Sequence, residues 1–81
     1  MVTAVMDRVL DAKGLKCPLP VIKTRLALNK MAMGELVTVL ATDPASKIDI
    51  RHLCNFPGNE LMDASEEAGL LTYVIRRTEA E

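Results

Sequence analysis

Apolar residues fall in blocks along the chain, and the spacing within each block predicts a different element. In Val5 to Asp11, Val5, Met6, Val9 and Leu10 mix with Asp7 and Arg8, which predicts a first strand. Ala12-Lys13-Gly14-Leu15-Lys16 then reads as a short loop, with Gly14 able to take a sharp turn. From Val21 to Met33 the spacing is helical. Its predicted inward stripe is Leu19, Ile22, Leu26 and Met33, flanked by Val21, Leu28 and Met31, while Lys23, Arg25, Asn29 and Lys30 form the solvated face. Gly34 is the expected helix stop. Glu35 to Thr42 is nearly continuous in apolar residues and rich in branched ones, the pattern of a strand central to its sheet and covered on at least one face.

Asp43-Pro44-Ala45-Ser46 signals a second helix, with Asp43 as cap and Pro44 at the first helical position, running to about Asn55. Phe56-Pro57-Gly58-Asn59 breaks it. Glu60 to Ser65 and Leu70 to Arg77 form two strands around a turn containing Gly69, and the alternation of Leu71, Tyr73 and Ile75 sets the inward face. Thr78 to Glu81 is expected to fray. The order is βαβαββ, an α/β two-layer sandwich with two helices on one face of a four-stranded mixed sheet. Its strand, helix, strand unit implies a parallel pair with a right-handed crossover. Residues 1–81 are expected to form one domain with an ordered core from about 5 to 77.

Composition narrows the function classes. Half the residues are apolar, yet only Phe56 and Tyr73 are aromatic, so the core must be aliphatic. A net charge of −1 gives no field to gather nucleic acid, and the aromatic and basic interleaving of a single-strand binding surface is missing. No apolar run approaches membrane-spanning length and no secretory leader is evident, which makes the cytoplasm the expected location. Cys17 and Cys54 stand too far apart for the paired spacing of a zinc site and are too few for a disulfide scaffold; reduced thiols, no metal and no cofactor are expected.

The chemistry centres on Cys17-Pro18-Leu19-Pro20. Proline is tolerated in the first turn of a helix, where its missing N–H would have had no partner. That suggests Cys17 as N-cap, Pro18 at N1 and Pro20 at N3, leaving the Leu19 N–H to reach the sulfur. A sulfur at the positive end of the helix dipole with a donor aimed at it favours thiolate, the reactive form. Leu19 itself precedes a proline and is pushed away from helical angles, so a start at Pro20 is the alternative. Lys13, Lys16, Lys23 and Arg25 could favour the thiolate and dock an acidic partner, or simply form a solvated face. Cys54, near the end of the second helix beside Leu53 and Phe56, reads as a packed thiol. It is expected roughly 15–20 Å from Cys17 by helix rise, beyond the reach of about 7 Å between Cα atoms that a disulfide needs. His52 reads as an ordinary helix residue rather than a base, and Asp43 as a cap with no second carboxylate beside it.

The run from Asp11 to Pro20, followed by Gly34-Glu35-Leu36, Asp43-Pro44, Gly58-Asn59-Glu60-Leu61 and Gly69, resembles the TusA (SirA-like) sulfur carrier family over Asp7 to Arg77. The resemblance implies a two-layer α/β-sandwich in which Cys17 takes sulfane sulfur as a persulfide from a cysteine desulfurase or rhodanese and passes it to an acceptor protein. It implies a relay ending in 2-thiouridine of tRNA in one branch and a dissimilatory sulfur-oxidation carrier in another. Many relatives have a histidine where this chain has Asn59, and no role is carried over to that position. Two rival readings remain: a noncatalytic regulatory or interaction module, and a thiol-disulfide oxidoreductase, which is disfavoured without a Cys-x-x-Cys pair.

Overall fold

The computed structural model describes residues 8–79. Within them the order is β1 (Arg8–Ala12), α1 (Leu19–Asn29), β2 (Leu36–Ala41), α2 (Ser46–Cys54), β3 (Asn59–Glu67) and β4 (Leu70–Arg77). Both helices pack on one face of a single mixed sheet ordered β1-β2-β4-β3, the expected two-layer sandwich. Val5 to Asp7 of the expected first strand lie outside the described residues, as do Ala80 and Glu81 of the tail.

The sheet follows its alternation. β2 is central, parallel to β1 and antiparallel to β4. Val37, Val39 and Ala41 of β2 and Leu71, Tyr73 and Ile75 of β4 are buried under the helices, joined by Leu28, Met31, Ile50 and Leu53. Leu36, Thr38 and Leu40 point to the other face and are half-buried. The Ser46 hydroxyl and the Tyr73 phenol, 2.8 Å apart and buried, satisfy each other and tie α2 to β4. β3 is longer than expected because Ala68 and Gly69 both take positive φ, making a two-residue hairpin turn that lets pairing extend to Glu67 opposite Leu70. A bulge interrupts its register between Leu61 and Asp63.

The far end of the sheet is closed by Arg77. Its guanidinium Nη1 donates to Asn59 Oδ1 at 2.8 Å, its backbone N–H donates to the Glu35 carbonyl, and its carbonyl accepts from Gly34. Asn59 therefore has a packing partner. Thr78 is not frayed, since its N–H donates to the Gly58 carbonyl at 2.9 Å.

The first helix departs most from its pattern. Of the expected broad stripe, the centre (Leu19, Ile22, Leu26 and Met33) is 47, 45, 56 and 65 % exposed, while its flank turns inward, with Leu28 and Met31 buried and Val21 packed against the core, beside buried Pro20 and Thr24. Spacing alone could not choose, because apolar residues occupy both sides of this helix. Thr24 can face inward because its hydroxyl donates to the Pro20 carbonyl at 2.7 Å, leaving no unpaired polar atom. The helix also ends at Asn29, not Met33. Lys30 and Met31 donate to carbonyls three residues back, tightening the last turn and swinging Met31 into the core. Gly34, at φ +91°, serves the turn into β2 instead of stopping the helix.

The second helix begins at Ser46, after a turn in which Ser46 and Lys47 donate to the carbonyls of Asp43 and Pro44. Asp43 is not its cap. One of its carboxylate oxygens accepts from Ala45 N–H at the helix entry, while the other reaches across to Cys17 N–H, and that second bond builds the site.

Candidate functional site

Parallel pairing of β1 and β2, with Ala12 opposite Ala41, ends the two strands side by side. The loops that follow them therefore emerge together, although they are far apart in sequence. The first loop is stitched down by three backbone donors. Lys13 N–H donates to Asp11 Oδ1 at 3.0 Å, Gly14 N–H to Thr42 Oγ1 at 2.9 Å, and Cys17 N–H to Asp43 Oδ2 at 2.6 Å. The other oxygen of Asp43 accepts from Ala45 N–H at 3.2 Å. One carboxylate thus joins the cysteine loop to the entry of α2.

The start of α1 is shifted by one residue from expectation. Pro18 is the N-cap, its carbonyl accepts the first helical bond from Ile22, and Pro20 lies inside the first turn. Cys17 lies just outside, joined to Pro18 through a cis peptide. The Leu19 N–H, expected to reach the sulfur, donates to the Lys16 carbonyl at 2.8 Å. With that donor spent, the sulfur loses the local support that a thiolate would need.

Its partner comes from α2. Cys17 Sγ donates to Asp49 Oδ2 at 2.9 Å. The thiol is exposed and free, yet its pKa is raised above the ordinary cysteine value, first by that hydrogen bond, then by partial loss of water and by the negative charges of Asp49 and Asp43. The sulfur thus stands as a donor to a carboxylate, with its pKa shifted away from the thiolate that the helix start suggests. Reasoning from the helix start alone missed Asp49, and no local spacing marks it; only the placement of α2 beside α1 brings it to Cys17.

A groove of about 180 Å³ opens beside the sulfur, lined by Pro18, Val21, Arg25, Asp49, His52 and Phe56 among others. Arg25 of the expected docking set is brought here. Lys16 lies close enough to Asp43 to help hold its carboxyl ionised, while Lys13 and Lys23 are exposed on the loop and on α1. His52, read from the sequence as an ordinary helix residue, lines the same groove, its ring edge-on to Phe56 with centroids 5.4 Å apart. Cys54 faces a different groove with Arg51, Asn55 and Asn59; it packs against the core, and burial raises its pKa. Both cysteines are free.

Asp43 makes a pH prediction. Its carboxyl is held below the ordinary carboxylate range by the N–H of Cys17 first, then by Ala45 and Lys16. A lowered pKa means that its contribution is present above the unfolded value and lost as pH falls through the folded one. Acidification through that range should therefore release the Cys17 amide, seen as faster hydrogen exchange relative to the β2 amides. Asp43→Asn should raise the same exchange several-fold at neutral pH, because an amide offers one acceptor oxygen where the carboxylate used two. Unchanged protection of Cys17 in that variant would contradict the assignment.

Fold and site together define a small α/β-sandwich protein that presents one thiol from a Cys-Pro-x-Pro turn. A family model described as Sulfurtransferase TusA matches residues 8–77. Among similar sequences, the Sulfur carrier protein TusA of Pseudomonas putida strain W619 is 46% identical over 71 residues, covering 88% of this chain and 89% of that protein. The Sulfur carrier protein TusA of Allochromatium vinosum is 42% identical over 72 residues, covering 89% and 95%. A crystal structure of a SirA-like protein from Desulfitobacterium hafniense superposes with a TM-score of 0.77 at 28% identity, covering 91% of this chain and all of that one (100%). The chain belongs to the TusA family.

Proposed function

We propose that this protein is a sulfur carrier that accepts sulfane sulfur on Cys17 as a persulfide from a cysteine desulfurase or rhodanese and relays it to an acceptor protein, for example towards 2-thiouridine of tRNA. The observation that carries this reading is the free, exposed Cys17 sulfur at the mouth of an open groove. A carrier must let donor and acceptor reach one atom in turn, and an exposed sulfur beside a helix start permits both. The protein acts as a sulfurtransferase only in company, since donor and acceptor supply the substrate chemistry. No cofactor is needed for the transfer: the donor's S–S bond breaks as the Cys17–sulfur bond forms, and the sulfane sulfur changes carrier without net oxidation. Free cysteines suit the reducing cytoplasm expected from the sequence.

The test is intact-mass analysis after incubation with a cysteine desulfurase and free cysteine. A gain of about 32 Da that a reductant removes supports the carrier. No gain from any competent donor favours an interaction module, and a loss of about 2 Da on oxidation favours an internal dithiol.

A further inference from the structure

Asp49 stands in the first turn of α2 with Oδ2 2.9 Å from Cys17 Sγ. That contact has a chemical condition. A thiol can donate to a carboxylate; a thiolate has nothing to donate and would meet a second negative charge at hydrogen-bond distance. A persulfide cannot form the contact through Sγ either, because Sγ then carries sulfur in place of hydrogen. The outer sulfur of a hydropersulfide is also more acidic than the parent thiol, so the loaded group is largely anionic at neutral pH and repelled by the same carboxylate. The bond therefore exists only in the empty protein.

We propose that Asp49 is a catalytic residue of the transfer site, holding the proton of empty Cys17, receiving it as sulfur arrives, and disengaging once the persulfide has formed. This rests on the carrier reading for its chemistry. In the loading step the electron pair of Sγ attacks the outer sulfur of the donor's R–S–S–H, and the Sγ proton passes to Asp49. The donor S–S bond breaks with its electron pair leaving on the inner sulfur, and Asp49 returns the proton there to give R–SH. Cys17–Sγ–S–H remains and loses its own proton to water. Nothing is oxidised or reduced overall.

The other charged groups around the sulfur do not supply this role. Asp43 is committed to the Cys17 and Ala45 amides, and Lys16 lies beside Asp43. Arg25 of α1 and His52 of α2 line the groove, but the sulfur's hydrogen bond goes to Asp49. Raising of the Cys17 pKa, with Asp49 its largest cause, agrees with this geometry.

The experiment uses the whole chain carrying Cys54→Ser, so that one thiol is read. Iodoacetamide alkylation of the empty protein is followed across pH by intact mass, and sulfur acceptance from a cysteine desulfurase with free cysteine is timed in parallel. Asp49→Asn should alkylate about tenfold faster at neutral pH, because removing the neighbouring charge raises the thiolate fraction. Although more of its thiol is ionised, it should accept sulfur more slowly, because no carboxylic acid remains to return a proton to the donor's departing sulfur. Damage to the fold would not produce these opposite movements together with the downward shift of the alkylation pH profile. Asp49→Glu keeps the charge and should retain slow alkylation. In the wild type, the Asp49 carboxyl carbon resonance should move on loading and return on reduction. An alkylation profile unchanged in Asp49→Asn, sulfur acceptance unaffected by it, or a resonance indifferent to loading overturns the proposal. A wild-type protein that never gains sulfur defeats the carrier reading instead, and the alkylation profile still reports whether Asp49 holds the proton.

Discussion

Cys17→Ser should take up no sulfane sulfur from a cysteine desulfurase, and the gain of about 32 Da should vanish rather than diminish. Serine preserves the size of the side chain and can still donate to Asp49, which accepts from the thiol at 2.9 Å, and the backbone bond from residue 17 to Asp43 involves no side-chain atom of that residue. The site therefore stays assembled while its nucleophile is removed; an alcohol oxygen does not form a stable persulfide equivalent. Cys54→Ser should load as the wild type does, since Cys54 is half-buried against the core, faces another groove and has its pKa raised by burial. Sulfur retained by Cys17→Ser, or lost in Cys54→Ser with the fold intact, would move the chemistry to the other thiol. Urea unfolding of both variants separates loss of chemistry from loss of structure.

Ile50→Ala should destabilise the fold by about 2–5 kcal/mol. Ile50 is fully buried in the cluster formed by both helices and the inner face of the sheet. Removing most of its side chain forfeits apolar burial and leaves a cavity that aliphatic neighbours only partly fill. Small domains hold on the order of 5–15 kcal/mol in total, so the urea midpoint should fall steeply with little change in slope. The control lies two residues earlier. Ile48 is 74 % exposed, and Ile48→Ala should stay within about 0.5 kcal/mol of wild type. Equal losses at the two positions would mean that α2 is turned differently on the sheet. Since Asp49 lies between them, the comparison also checks the orientation that brings its carboxylate to the sulfur.

Strands were legible where one face is buried and the side chains alternate. Leu71, Tyr73 and Ile75 of β4 point inward as the pattern required, and the apolar run of β2 marked it as central. Helix faces were less so. In α1, apolar residues lie on both sides, and the deciding fact is that Thr24 satisfies its hydroxyl locally and can be buried. Hydropathy counts that residue as polar and turns the helix the wrong way. The end of α1 was obscured for a related reason, because Met31 reaches the core only after the helix has tightened and stopped.

The cysteine itself stood out by its prolines, but the state of its proton did not. Close in sequence the one donor within reach of the sulfur is the Leu19 N–H, and that group turns back to Lys16. The carboxylate that accepts from the sulfur belongs to the next helix. Asp43 resembles a helix cap for the same reason, its Asp-Pro context being local, while its bond to the Cys17 amide depends on two strands ending side by side. Short-range chemistry could single out the exposed cysteine; its electrostatic setting is a property of the tertiary arrangement.

Three amides of the loop that ends at Cys17 are pinned to Asp11, Thr42 and Asp43. A loop fastened in this way has already surrendered most of its conformational freedom, so a visiting protein forfeits little entropy in finding the sulfur where it must be. The same fastening fixes the angle from which that sulfur can be approached. Different visitors would then have to share a common docking direction and take their turns, making the cargo's route a matter of sequential occupancy at one doorway.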